Sequence, residues 1–380
     1  MPNHTDTLKS LRRELHQYPE LGFQEARTKA RIADILRGLG MEVHEGVGVV
    51  GILKNGKGNR AIGLRADMDA LPINETSMHD YVSRHHGVMH ACGHDGHMTM
   101  LLGAAMALAE DPQFDGTVAF IFQPNEEHGL GAQAMLDEGL LQRHPIDEIF
   151  GLHNLPGAPL GKMLTRNGII CSSESLFEID VSGQGGHASM PQAGRDALTI
   201  AAEIVQALQT IVARKIAPGA GVVVSVTEFL TNGQRNVLPG HATLKGDVRA
   251  RADQDRKDVE RFMRQIASGI AAAHGAEAAV TFKTEFVETI NAKAQVAAVA
   301  KAAQSLGLEA DADCAPMSFS EDFAHFALAV PACFMMLGNG ETGANAKPLH
   351  AASYDFNDDL IPIGVDVWAQ LVRQQLPITA

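Results

Sequence analysis

Ala61-Ile62-Gly63-Leu64 runs without a break into Arg65-Ala66-Asp67-Met68-Asp69. The first four residues read as a short buried strand, and polar residues gather where it ends. Thr117–Gln123 and Glu148–His153 repeat the pattern of an apolar run with a polar carboxyl end. Open α/β sheets place their sites at such ends. Helical spacing is predicted over Thr7–Gln17, Ala26–Leu39 (stopped by Gly40) and Met98–Glu110. Met41–Val47 and Val49–Lys54 read as two further strands around a glycine-rich turn.

The middle of the chain changes character. Strands are predicted over Phe177–Ser182, Val222–Leu230, His241–Arg249 and Ala278–Phe286, and helices over Ala197–Ile216 and Val259–Ala273. The order β-α-β-β-α-β is that of a ferredoxin-like sandwich. Helix and strand then alternate again: Ala294–Leu306, Ala332–Leu337 and Gly364–Gln375. The expected fold is α/β, with a discontinuous domain (1–174 and 287–380) whose mixed sheet is flanked by helices. A smaller α+β domain, 175–286, is inserted into it.

A length of 380 residues suits two domains, and 45% hydrophobic with 20% charged residues suits a globular chain. The net charge of -14 argues against nucleic acid and anionic membranes as partners. Cys92, Cys171, Cys314 and Cys333 show no paired spacing, which points to a reducing, cytoplasmic setting. Met1–Glu20 lacks a signal-like apolar core, and runs such as Met100–Ala109 are half a membrane span.

His90-Ala91-Cys92-Gly93-His94-Asp95-Gly96-His97 packs three histidines and a cysteine into eight residues. The glycines predict a tight turn rather than a packed helix face. A thiolate among imidazoles suits Zn²⁺, Mn²⁺ or Co²⁺; the plain alternative is a His-rich surface loop. Phe122-Gln123-Pro124-Asn125-Glu126-Glu127-His128-Gly129 sets two carboxylates beyond a strand end. One could hold a metal while the other carries protons, as metal hydrolases require; alternatively both are solvated. Asp67 and Asp69 are candidate ligands, anchors for an imidazole, or turn formers. His153 ends another strand and His350 sits in a late loop. Each signal is modest alone, and their shared position at strand ends joins them.

These motifs resemble those of the M20 metallopeptidases, in particular the amidohydrolase branch of hippurate hydrolases, N-acyl-amino-acid deacylases and auxin-conjugate hydrolases. The resemblance rests on Leu15-His16-Gln17-Tyr18-Pro19-Glu20-Leu21-Gly22-Phe23, Arg65-Ala66-Asp67-Met68-Asp69-Ala70-Leu71-Pro72, the His90–His97 stretch, Gln123-Pro124 with Glu126-Glu127, and Gly185-Gly186-His187-Ala188-Ser189-Met190-Pro191. Asn236-Val237-Leu238-Pro239, Ser320-Glu321-Asp322-Phe323 and Tyr354-Asp355-Phe356 extend it.

The resemblance implies two divalent ions per subunit (Mn²⁺ or Zn²⁺, with Co²⁺ or Ni²⁺ as options) held by Cys92, His94, Glu127, His153 and His350. It makes Glu126 the general base and Asp69 its supporting carboxylate. The inserted domain becomes a dimerisation and lid domain whose His187 reaches the neighbouring subunit's site and binds the oxyanion. Asn236 and Arg249 would hold a substrate carboxylate. The implied reaction cleaves N-acyl amino acids to a carboxylic acid and a free amino acid, in a homodimer. The alternatives are a dipeptidase, a hydrolytic deaminase of an unusual small substrate, or a non-catalytic binding protein. Asn125 and His128 depart from the small residues usual beside the glutamate pair. His128 could bond a glutamate, add a ligand or face water.

Overall fold

The computed structural model describes residues 4–378. The chain forms two compact units. One comprises the chain up to Ile170, Thr289–Pro316 and the stretch from Asp322 onward; the other comprises Cys171–Glu288 and Met317–Glu321.

The first unit is built on an eight-stranded mixed sheet. Its order is Glu42–Glu45, Val49–Asn55, Gly116–Gln123, Ala61–Asp67, Glu148–Pro156, Ala332–Gly340, Met163–Leu164, Ala310–Asp311. The four central strands run parallel, and Val49–Asn55 joins them antiparallel. Parallel strands covered on both faces read as continuous apolar runs, and Ala61–Asp67 is buried throughout. Val118, Phe120 and Phe122 alternate onto the face packed by Thr5–Gln17, His94–Glu110 and Leu360–Gln375. On the opposite face, Phe323 packs against Phe334 and Phe326. Trp368, buried in the last helix, belongs to the larger core.

The second unit is a four-stranded antiparallel sheet in the order Val223–Thr231, His241–Ala250, Ser173–Ser182, Glu277–Phe286. Residues of Ser173–Ser182 and His241–Ala250 alternate between buried and partly exposed. Their apolar face packs on Ala197–Thr210 and Asp253–Ala273 through Ile179, Leu244, Ile204 and Met263. The stretch Ala197–Lys215 is long and apolar enough to cross a membrane by length and composition. Here its stripe of Ile200, Ala201, Ile204 and Leu208 is spent on the sheet. Met317–Glu321 joins this unit by backbone pairing, which apolar patterning does not announce: the Ser172 N–H donates to Phe319 O at 3.1 Å.

One expectation is corrected. The helix of the first unit begins at His94, not Met98, so the second half of the His-rich stretch is a buried helical turn. Gly93 caps it with φ 99, and Gly96 is accommodated because Phe356 fills the space beside it: a Cβ there would meet the ring at 2.3 Å.

Candidate active site and metal centre

The carboxyl ends of the parallel strands carry the polar groups of the first unit. Asp67 ends its strand, Gln123 ends the next, and His153 lies within Glu148–Pro156. His94 and His97 project from the first turn of their helix, one turn side by side. Glu126 and Glu127 follow Asn125, whose φ of 50 turns the loop, and His350 sits in its own left-handed turn at φ 64.

Three overlapping triads result. Cys92, His94 and His153 offer ligand atoms within 4.8 Å of one another, as do Cys92, Glu127 and His350, and His94, Glu126 and Glu127. Cys92 Sγ lies 3.3 Å from His153 Nε2. His350 Nε2 lies 3.5 Å from Glu127 Oε2. His94 Nε2 stands 3.9 Å from Glu127 Oε1 and 4.0 Å from Glu126 Oε2. The five expected ligands and the expected base thus lie together.

Each ring is held from behind. His94 Nδ1 donates to the Asp69 carbonyl at 2.8 Å, which leaves Nε2 facing the carboxylates. His153 Nδ1 donates to the Asn154 carbonyl at 2.7 Å, which leaves Nε2 facing Cys92. Fixing one ring nitrogen selects the tautomer that the other presents. Asp69 does this for His94 and also accepts the Glu127 backbone N–H at 3.0 Å. These contacts to His94 and Glu127 are ones that spacing alone could not show.

The buried charges shape one another. Burial opposes a charge on His94, yet Asp67, Asp69 and Glu127 push its pKa up to about 10. Burial pushes the Glu127 carboxyl up to about 8 against the pull of His94. Burial, with His97 beside it, holds His153 well below the usual imidazole range. His94 Nε2, Glu127 Oε1 and Asp69 Oδ1 are buried without a hydrogen-bond partner in the protein. Such atoms are costly unless something satisfies them. Asp69 Oδ1 faces His94 Nδ1 at 3.3 Å, whereas a cation between the thiolate, imidazoles and carboxylates would satisfy His94 Nε2 and Glu127 Oε1, and the donor set fits a borderline divalent metal.

Asp67, expected as a ligand or an anchor for an imidazole, anchors His97, and residues that sequence reading passed over complete the support. Arg65, fully buried, donates to Gln123 Oε1 at 2.7 Å, Asp67 Oδ2 at 2.8 Å and Asp322 Oδ1 at 3.1 Å. His97 joins Asp67, at 2.7 Å, to Asn154, at 2.8 Å, and Asn154 donates to the Tyr354 hydroxyl at 2.7 Å. Both ring nitrogens of His97 are thereby engaged. An arginine closing an apolar strand was the available signal for the first network. His128 Nδ1 bonds Asn125 Oδ1 at 2.8 Å, so it braces the loop that carries the glutamate pair.

In the second unit, Gly186–His187 pairs with Val237–Leu238, and the Asn236 carbonyl accepts the Ala188 N–H at 3.0 Å. His187 and Asn236 therefore share one exposed ribbon. Arg249 is not with them. It lies eight residues along His241–Ala250, roughly 25 Å of strand from that ribbon. Its guanidinium donates to Glu174 at 2.7 Å, Asp247 at 2.9 Å and Ser320 at 2.9 Å.

Residues 63–374 match the family Peptidase family M20/M25/M40. The chain belongs to that family. A hippurate hydrolase of Campylobacter jejuni is 37% identical over 373 residues, 97% of this chain and 96% of the relative. The thermostable carboxypeptidase 1 of Saccharolobus solfataricus is 34% identical over 368 residues, 94% of this chain and 93% of the relative. The crystal structure of Bacillus subtilis YXEP, a dinuclear metal binding peptidase of the M20 family, superposes with a TM-score of 0.85 at 31% identity, covering 98% of each chain. This M20 protein falls with the amidohydrolases and is a metal-dependent hydrolase acting on amide bonds.

Proposed function

We propose that the protein hydrolyses N-acyl amino acids, such as acetyl or benzoyl derivatives, to a carboxylic acid and a free amino acid. The observation that carries this reading is the convergence of Cys92, His94, Glu127, His153 and His350, with His94 Nε2 and Glu127 Oε1 buried and unpartnered and Glu126 beside them. Those five residues hold two divalent ions, Mn²⁺ or Zn²⁺. Bound ions polarise the amide carbonyl and make water more acidic. Glu126 takes the proton of the attacking water and returns it to the leaving amine. Asp69 orients His94 and the Glu127 backbone. The hippurate hydrolase relative supports the acyl-amino-acid substrate class.

The second unit serves as the dimerisation and lid domain. Its edge strand, Val223–Thr231, exposes Phe229 and Leu230 and offers unpaired backbone to a second copy. His187 stabilises the oxyanion of the partner's reaction, with Asn236 beside it. Arg249 takes the substrate carboxylate by exchanging it for Glu174 or Asp247. Sedimentation that shows only monomers at micromolar concentration removes the cross-subunit role of His187. Four free cysteines fit a cytoplasmic location.

The test is amine release from a panel of N-acetyl and N-benzoyl amino acids, run beside dipeptides. Chelated enzyme is assayed before and after adding Mn²⁺, Zn²⁺ or Co²⁺. Metal-restored turnover of an acyl class is expected. Turnover of dipeptides alone would reassign the protein as a dipeptidase. No turnover with any metal, despite two bound ions, would make it a binder or an enzyme of another substrate.

A further inference from the structure

A second group of donor side chains lies where the helix Thr5–Gln17 meets the loop 72–93. We propose that His16, Glu75 and His79 form a separate site for one zinc-class divalent ion. None of the three belongs to the centre described above. Their ligand atoms lie within 4.8 Å of one another. Glu75 Oε1 stands 3.2 Å from His16 Nε2 and 3.1 Å from His79 Nε2. Two ligands bound tetrahedrally at zinc–nitrogen and zinc–oxygen distances are separated by about 3.3 Å. The observed spacings match that edge.

Each donor is already aimed. Asp95 Oδ2 bonds His16 Nδ1 at 2.8 Å and turns Nε2 toward Glu75. A carboxylate behind a histidine is the usual support of a metal-bound imidazole. The Ser83 N–H donates to Glu75 Oε2 at 2.7 Å, so the other oxygen is the one offered to the histidines. Tyr81 stacks on the His79 ring with centroids 3.8 Å apart and is itself tied to Asp355 at 2.7 Å.

The state of His79 points to a ligand. Both its ring nitrogens are buried, and neither makes a hydrogen bond. Its Nε2 approaches Glu75 Oε1 at 3.1 Å, but the ring is poorly aligned for a hydrogen bond there. A shielded imidazole with unpartnered nitrogens is costly, and coordination through Nε2 removes that cost for the nitrogen that faces Glu75. His16 and Glu75 could remain bonded to each other without a metal; His79 is the member that such a pair does not explain. Charge balance allows the cation. Arg12 is matched by Asp95, Asp355 and Asp358, which leaves Glu75 to the ion. The His79 side chain is 16% exposed, so the site has a route to solvent. Two imidazoles and one carboxylate favour Zn²⁺, with Co²⁺ as a spectroscopic substitute. Binding would pin the loop to the first helix.

The experiment is a metal-to-protein ratio, measured by mass spectrometry after equilibration with micromolar free Zn²⁺ and gel filtration. Wild type is compared with His79→Leu and with His79→Asn, which keeps a polar side chain if the leucine variant folds poorly. Circular dichroism and amide hydrolysis report on the fold and are expected to stay unchanged. The expected result is one ion fewer in the variants, whatever total the wild type holds. That difference does not depend on how many ions the catalytic centre takes. Zn²⁺ should also slow proteolysis within 72–88, a stretch that carries none of the catalytic centre's ligands, more in wild type than in the variants. Equal ion counts in wild type and the folded variants would overturn the proposal.

Discussion

The backbone N–H of Glu127 donates to Oδ2 of Asp69 at 3.0 Å, while Oδ1 of the same carboxylate lies 3.3 Å from Nδ1 of His94. One side chain therefore sets both the loop that carries the glutamate pair and the ring that faces it. Asp69→Asn keeps the size and loses the charge. Supporting carboxylates of metal sites typically contribute about 10–100-fold in affinity or activity. Chelator competition and kcat should both fall within that range. Unchanged values would show that Asp69 positions nothing of consequence.

The two adjacent glutamates should separate cleanly. Glu126→Gln is expected to retain both ions and to lose on the order of 10²–10⁴-fold in turnover, as removal of a general base does. Glu127→Gln should instead lose metal, because it brings together His94 at 3.9 Å and His350 at 3.5 Å. Metal content and kcat measured on both variants check this, and near-wild-type turnover by Glu126→Gln would refute the assigned base.

Arg65 meets Gln123, Asp67 and Asp322 with no exposed side-chain surface. Arg65→Met removes the guanidinium shared by Asp67 and Asp322 and leaves them their bonds to His97, Gln123 and the Ala132 N–H. Loss of a partner from a buried ion pair costs about 3–5 kcal/mol. Urea unfolding of the variant should show a loss of that order, and a loss under about 1 kcal/mol would contradict the network's structural role.

Glu25 gives a pH dependence. Burial pushes its carboxyl up to about 7, with Asp69 adding to the effect, although Asn125 donates a backbone N–H to it at 3.0 Å. A carboxyl raised in the folded state is protonated in both states at low pH. As pH rises from the ordinary carboxylate range through about 7, the unfolded chain ionises first and stability is lost. Glu25→Gln escapes that loss and keeps an oxygen for the Asn125 amide. Its stability relative to wild type should therefore grow between pH 5 and pH 8. A difference that stays flat, followed by thermal unfolding at each pH, would show that Glu25 titrates normally.

The sheet was legible because its central strands are covered on both faces. Continuous apolar runs such as Ala61–Leu64 and Thr117–Gln123 have few other readings. The metal-type residues were legible for a related reason: they cluster at the ends of those runs. The start of the helix at His94 was not. Glycine spacing alone argues for a turn, and what allows Gly96 in a helix is the ring of Phe356, far along the chain. Arg65 and Asp322 are 257 residues apart, so no local pattern links them. His187 and Asn236 entered through family resemblance. Nothing in a Gly-Gly-His turn says that it pairs with Val237.

The strand Ala332–Gly340 lies between Glu148–Pro156 and Met163–Leu164, although it is made long after both. A chain emerging from the ribosome and grown to residue 330 thus has a gap in the middle of its sheet. It carries Cys92, His94, Glu127 and His153 but not yet His350. Its two open strand edges are templates for pairing with other chains. Synthesis therefore passes through a stage with open strand edges, and of the expected metal ligands His350 is made last. A truncated product lacking the final segment would leave those two edges open to other chains.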